Sequence, residues 1–285
     1  APAGRPSPRP PAEARPKQLS VTQIERLLSD PYTIYAQKIL RLRALDPLHL
    51  EADARLRGTV LHKVFERFIC EAKLSTPEAD RATLLAIAAQ VLEQECPWPV
   101  VQRLWLAQIG RAAGWFIASE AQRQLRAKPH MFEQTGSCAM DGLDFTLTAK
   151  ADRIDMAEDG SAVLYDYKTG ALPSKQKQIQ HAKQLLIEAA IVEQGGFAQI
   201  GAQRVSDARY IGLGSDMREM PAPLADQPPE LIWAELRALV QLWQDPAWGY
   251  TARRDKQDKF ASDYDHLSRF GEWDVSDPPA PEDLS

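Results

Sequence analysis

The sequence has few cysteines, no long apolar run and no phosphate-binding loop. Its three cysteines, Cys70, Cys96 and Cys138, lie far apart without CxxC spacing. That fits a reducing compartment and argues against a zinc site or a disulfide framework. No apolar run approaches the ~20 residues that cross a bilayer, and the Pro- and Arg-rich start is unlike a secretory signal. A cytoplasmic chain with no membrane association is the expectation. No GxxxxGK[ST] loop occurs, so an ATP-driven motor is not encoded here. There is no internal repeat. Nor is there an excess of positive charge: 34 Lys and Arg stand against 39 Asp and Glu, a net charge of −5. A pure nucleic-acid-binding module is more often basic. An enzyme acting on nucleic acid is still compatible, because its site needs carboxylates and a basic channel can be local.

What is present is ordinary globular material, 285 residues with 44% hydrophobic and 26% charged, enough for a sizeable core. Six prolines within residues 1–18 predict an extended, solvated linker. Residues 276–285 read as an acidic, Pro-rich tail, which leaves 19–275 as the ordered domain. Ser20 followed by Gln23 has the form of a capping box ahead of Ile24, Leu27 and Leu28. Further helices are predicted over 32–42, 57–73, 77–95 and 99–127. From Phe132 the texture changes. Leu143, Phe145 and Leu147 alternate with polar residues as in a strand, and Glu158-Asp159-Gly160 is a turn leading into a second strand over 161–168. A helix capped by Ser174 and running to Gly195, a strand over 209–213 and a helix over 227–244 follow. The order predicts an α/β fold, a mixed sheet flanked by helices, with a helical N-terminal half.

The informative stretch is AKADRIDMAEDGSAVLYDYKTG, residues 149–170. Asp166 and Lys168 are two apart on one strand and leave the same face. Asp152 lies on the preceding strand, where antiparallel pairing can bring it beside Asp166. Two carboxylates and an ammonium suit phosphodiester hydrolysis: hard oxygen ligands for Mg²⁺, a polarised phosphate and activated water, and a cation for developing negative charge. Alone, Asp166 and Lys168 read equally as a surface ion pair.

Together with other segments this stretch resembles the PD-(D/E)XK nucleases of the RecB-like branch. GTVLHKVFERF (58–68) is similar to that branch's GxxxH helix, AKADRID to its GxxDRID strand with Ala149 for glycine, LYDYKTG to its DYK[ST]G strand, and KQLLIEAAI (183–191) to its QLxLY helix with Glu188 for tyrosine. LSVTQIERLLSDPYTIYAQKILRL and SDYDHLSRFGEW resemble the C-terminal region of AddB-type subunits of AddAB helicase-nucleases. The resemblance implies a restriction-endonuclease-like PD-(D/E)XK core and roles at matching positions. Asp152, Asp166, His62 and the Tyr167 carbonyl would hold Mg²⁺, with Mn²⁺ as a substitute. Lys168 would be the catalytic lysine and Gln184 would organise the site. Glu133, placed just before the first strand, is the candidate for a further glutamate. The implied partners are DNA, as a single strand unwound from a duplex end, and an AddA-like helicase-nuclease subunit, with exonucleolytic work in double-strand break processing. Many AddB-type proteins carry an iron–sulfur cluster. Here Asp30 occupies the early ligand position and no cysteine follows Cys138, so no cluster is expected.

Other readings remain open at this stage. His62 also fits a hydrogen-bonded histidine on a packed helix, Glu66 an ordinary helix-face charge, and Asp155 a partner for Arg153. The tryptophans fit core or interface anchors. Two competing functions are a non-catalytic DNA-binding scaffold that keeps the nuclease fold and a stand-alone structure-specific endonuclease. Loss of Asp152, Asp166 or Lys168 would favour the scaffold, and all three are present.

Overall fold

The computed structural model describes residues 2–284 apart from 46, 47, 50, 73, 215, 216 and 255–261. Its first elements are β1 (Arg5–Arg9), β2 (Gln18–Ser20) and α1 (Val21–Ser29), the last opened by the Ser20–Gln23 capping box. α2 (Pro31–Ile34) then passes into a π-turn over Tyr35–Ile39 rather than the single helix expected over 32–42. Three long helices follow. They are α3 (Ala54–Glu71) with Asp53 as N-cap, α4 (Pro77–Glu95) with Thr76 as N-cap and Pro77 in its first turn, and α5 (Pro99–Arg126). The expected end of α3 at Lys73 lies outside the described residues.

Apart from β2, the six-stranded sheet comes from residues 128–221: β3 (Lys128–Ala139), β4 (Thr146–Met156), β5 (Ala162–Lys168), β6 (Val205–Gly212) and β7 (Glu219–Pro221), ordered β2-β4-β5-β6-β7 with β3 on the remaining edge of β4. β2–β4 and β5–β6 are parallel and the other pairs antiparallel. The helix expected over 174–195 is two, α6 (Lys175–Gln180) and α7 (Gln184–Glu193), and α8 (Pro229–Gln244) closes the layer. One face of the sheet, with Leu164 and Ala208, packs on α1, α7 and α8. The other, with Val163, Tyr165 and Tyr167, packs on α3, α4 and α5. The result is the mixed sheet between helical layers that the order of elements predicts.

The Pro-rich start is extended, as its prolines require, but it is not solvated. β1 pairs in parallel with β8 (Pro279–Asp283), so the expected tail is a strand. Arg5 and Arg15 are buried and donate to backbone carbonyls of Ala252, Val275, Trp243 and Trp248. Those arginines satisfy carbonyls that a linker would have left to water. Ala1 and Ser285, at the ends of the two segments, lie outside the described residues. Asp30 accepts hydrogen bonds from Thr33 Oγ1 at 2.7 Å and Arg253 N at 3.1 Å, so a carboxylate joins early and late segments here.

Candidate active site

The site lies where β4 changes partners. β3 covers one edge of β4 along its length. On the other edge β4 pairs with β2 over 146–148 and with β5 over 153–156, so residues 149–152 have no strand beside them. The last β4–β5 pair is Arg153–Tyr165, and beyond it the strands part. Asp152 fills the fork: its Oδ2 accepts from Tyr167 N at 2.9 Å in place of a ladder bond. A polar cleft of about 490 Å³ occupies the gap, lined among others by Ser20, Thr148, Lys150, Gln184 and Glu188.

The two-residue alternation of β4 is interrupted at this point. Leu147, Ala149 and Ala151 join one core and so does Ile154, while Arg153 and Asp155 are buried on the opposite side. Across from Asp152 in the register is Glu133, inside β3 and not before it as expected, with φ at 49°. A non-glycine residue in the left-handed region costs roughly 1–2 kcal/mol, and strain of this kind gathers at working sites. Here it turns the carboxylate toward α3. His62 Nδ1 lies 3.4 Å from Glu133 Oε1 and 3.6 Å from Asp152 Oδ2, while Nε2 is 2.9 Å from the Tyr167 carbonyl, which accepts its proton. Lys150 Nζ pairs with the other Glu133 oxygen at 2.5 Å. Replacing Glu133 with glycine is expected to leave the melting temperature unchanged or higher, because relief of backbone strain offsets glycine's entropy cost of about 0.5–1 kcal/mol, while metal affinity falls. A thermal melt and a metal titration of Glu133→Gly check both; a large loss of stability would mean that the Lys150 and His62 interactions outweigh the strain.

On β5, Lys168 and Asp166 leave one face as the period requires. Lys168 Nζ donates to Asp166 Oδ1 at 3.0 Å and to Gln184 Oε1 at 2.8 Å. Asp166 is buried, and its Oδ2 is 2.8 Å from the same ammonium but outside hydrogen-bond geometry, so a lone pair remains without a donor. Gln184 opens α7, and its amide Nε2 donates to Glu188 Oε1 one turn on at 3.1 Å. Its backbone N–H is accepted by Glu25 Oε1 of α1 at 2.8 Å, so α7 is capped from another helix. This capping accounts for the break between α6 and α7.

The electrostatics show a surplus of buried carboxyl groups. Burial, then the neighbouring Asp166, push Asp152 up to about 7, against the lowering pull of His62 and the Tyr167 N–H. Burial pushes Glu25 up to about 6. Glu188, in the middle of a helix buried on every side, is held well above the usual carboxylate range by burial and by Asp166. Burial works against the His62 charge, but Glu133, Asp152 and the Tyr167 carbonyl outweigh it and raise the imidazole to about 9. His62, chiefly, and Lys150 hold Glu133 down to about 2.

This is a donor set that fits a divalent cation. Ligand atoms of His62, Glu133 and Asp152 lie within 4.8 Å of one another, a buried Asp166 oxygen lacks a donor, and oxygen ligands of this kind suit hard cations. Metal binding needs Asp152 ionised and His62 neutral, so it must release protons. Both pKa values are raised, so the folded metal-free protein holds protons that the unfolded chain gives up. For Asp152 that stabilising contribution is complete below about pH 4 and lost as pH rises through about 7. For His62 it is complete below about 6.5 and lost through about 9. The depressed Glu133 contributes above about 4.5 and loses its contribution only as pH falls toward 2. Metal affinity measured calorimetrically is expected to rise from pH 6 to 9 with proton release, while the metal-free melting temperature falls over the same range. A flat affinity profile would remove His62 and Asp152 from the ligand set.

Of the residues singled out in the sequence, the structure brings His62, Glu133, Asp152, Asp166, Tyr167, Lys168 and Gln184 to one place. Asp155 is instead salt-bridged to Arg153 at 2.6 Å beneath the site. Sequence reasoning misses Glu25 and Lys150. The signal for Glu25 is indirect: α7 starts after Lys183 with no capping residue of its own, so its cap must come from elsewhere. Lys150 carries no signal beyond strand alternation.

A sheet that opens into a fork, with carboxylates, a lysine and a histidine at the opening, defines a class of phosphodiester-cleaving fold. Residues 18–268 match the family described as the PD-(D/E)XK nuclease superfamily, and the chain belongs to that superfamily. Among curated proteins it is similar to an uncharacterized protein of Rickettsia felis, 30% identical over 211 residues covering 71% of this chain and 24% of that one. A protein of Rickettsia bellii is 29% identical over 185 residues covering 64% of this chain and 22% of that one. The chain thus spans about a quarter of the length of the curated relatives it matches. Among solved structures, a candidate exonuclease of Eubacterium rectale aligns over 90% of this chain and 94% of its own, with a TM-score of 0.47 and 11% identity. Among the described residues no helix is long and apolar enough to cross a membrane.

Proposed function

We propose that this chain is a Mg²⁺-dependent deoxyribonuclease domain that cuts one strand at a processed duplex end, as the AddB-type subunit of a helicase-nuclease with an AddA-like motor partner. The observation that carries the nuclease reading is the fork at Asp152, where His62, Glu133, Asp152 and Asp166 converge beside Lys168. Asp152, Asp166, His62 and the Tyr167 carbonyl would hold the cation, with Mn²⁺ able to substitute. Bound there, the cation would polarise the phosphate and acidify a water. Lys168, steered by Asp166 and Gln184, is poised to stabilise charge developing on the phosphate. Glu133 orients His62, and Gln184 fixes the lysine. The motor partner is supported by the resemblance of residues 19–42 and 262–273 to AddB-type subunits.

Glu188 has a part in this scheme as a buried carboxyl, held above the usual carboxylate range by burial and by Asp166, that accepts from Gln184. Glu188→Gln is expected to retain nearly full cleavage, since the amide keeps an acceptor for Gln184. Glu188→Ala, which frees the Gln184 amide, is expected to lose roughly 10- to 100-fold, as for supporting groups around metal sites. Equal rates for the two variants would remove Glu188 from the positioning chain.

The reading is tested by cleavage of end-labelled single-stranded and blunt duplex DNA with Mg²⁺, Mn²⁺ or EDTA, with and without the motor subunit. Cutting of single strands in either metal, and of duplex only with the motor, is the expected result. Cutting in EDTA, or none even in the reconstituted complex, overturns it.

A further inference from the structure

A second polar cavity, of about 400 Å³, lies next to the fork and has no part in the metal site. Its walls include Arg57 from the first turn of α3, Gln108 and Arg111 from α5, Thr169 immediately after Lys168, and Gly214 after β6. Every charged side chain lining it is an arginine, in a protein whose net charge is −5. Neither arginine has an ion-pair partner among the described residues. The Arg57 Nε and the Gln108 Oε1 are buried without a hydrogen-bond partner. Buried polar groups are nearly always paired in a folded protein, so the unpaired Arg57 donor, on a side chain that lines the cavity, points to an acceptor ligand there. Guanidinium groups match phosphate oxygens with parallel N–H donors. The amide of Gln108 supplies a donor when its oxygen and nitrogen are exchanged, an orientation set by the ligand.

The cavity's position gives its ligand. α3 runs beside the end of β5. His62 meets the Tyr167 carbonyl, and Gly58, one turn earlier on the same face, lies beside Thr169, whose Oγ1 would be 3.9 Å from a Cβ at that position. Four helical residues rise about 6 Å, and two strand residues about 6.6 Å. At about 3.4 Å of axial rise per nucleotide in a strand, this step corresponds to one or two nucleotides. Gly214 lets the β6 end approach: a Cβ there would sit 2.5 Å from the Thr169 carbonyl oxygen.

We propose that the cavity walled by Arg57, Arg111, Gln108 and Thr169 is a phosphate subsite that grips the DNA backbone one or two nucleotides from the phosphate being cut. The inference rests on the reading of this chain as a DNA nuclease. The subsite needs no metal, in contrast to the carboxylate-lined fork. It supplies a grip on the strand that the acidic site itself cannot.

The test uses the full chain and a fluorescent single-stranded oligothymidylate, with binding followed in a Lys168→Ala background as salt is varied. Arg57→Ala/Arg111→Ala is expected to weaken binding at least about tenfold and to flatten the plot of log affinity against log salt by about 0.7 for each phosphate that is no longer neutralised. In the otherwise native chain, KM for the oligonucleotide rises far more than turnover falls. Arg111→Glu alone, at an exposed position that cannot unfold the core, gives the same direction. If native protein cuts DNA while the double variant and Arg111→Glu keep its affinity, salt slope and KM, the subsite is wrong and the nuclease reading stands. If turnover falls without a change in KM, the arginines do not grip the strand and the inference fails. If native protein neither binds nor cuts DNA, the nuclease reading fails and takes the subsite with it.

Discussion

Asp166→Asn is expected to cost at least about a thousandfold in cleavage while leaving the metal-free protein at least as stable as the native one. The first half follows from the fork: Asp166 is buried, holds Lys168 and offers an oxygen without a donor to a cation. The second half follows from the surplus of carboxyl groups. Asp152 is raised to about 7 partly by Asp166, and Glu188 and Glu25 are raised beside it. Asparagine keeps the shape and an acceptor for Lys168 but removes one charge from that group. A site built to bind a cation is destabilised without it, the usual exchange of stability for activity. Single-turnover cleavage and a melt in EDTA check the two halves. A variant that unfolds would show that the Asp166–Lys168 pair stabilises more than the crowded carboxylates destabilise.

Arg153→Ala is expected to produce the largest loss of stability, about 3–5 kcal/mol out of the roughly 5–15 that hold a domain together. Arg153 is fully buried under the sheet. Its guanidinium donates to both oxygens of Glu120 at 2.7 and 2.9 Å and to both of Asp155 at 2.6 Å, and reaches the Tyr167 hydroxyl at 3.2 Å. Arg123 bridges Glu120 and Glu219 in the same layer. Removing Arg153 strands buried carboxylates, whose ionised form is costly without a partner. The network also ties α5 to the two residues next to the ligands, since Arg153 follows Asp152 and Tyr167 follows Asp166. Cleavage is therefore expected to fall even below the melting temperature, which drops by roughly 10 °C. A melt within roughly 2 °C of native, well under the shift such a loss implies, would mean that Arg123 alone satisfies Glu120 and that Asp155 reaches water.

How legible the molecule is in its sequence depends on whether the signal is local. The strand period around 162–168 puts Asp166 and Lys168 on one face, and the structure agrees. The cap at Ser20 and the helix starts expected at 77 and 99 are kept by the structure, while the helix expected from 227 begins at Pro229. The site's other half is not local. Glu133 sits in a strand whose left-handed kink no residue type announces, and Glu25 acts by capping a helix 159 positions away. The terminal prolines correctly imply extended chain, but whether an extended segment is solvated or paired depends on its neighbour. Here β8, from the far end of the chain, supplies that neighbour. The single helix expected over 174–195 fails for a similar reason: tertiary capping by Glu25 splits what helical period alone would run together.

The most direct measurement is cleavage of end-labelled single-stranded DNA by the native chain and by Lys168→Ala, in Mg²⁺ and in EDTA, with metal binding measured on both proteins. The expected result is metal-dependent cutting by the native chain, abolished in a variant that still binds the cation through Asp152, Asp166 and His62. Equal cutting by the two proteins, or cutting that survives EDTA, would contradict a nuclease site at the fork between β4 and β5.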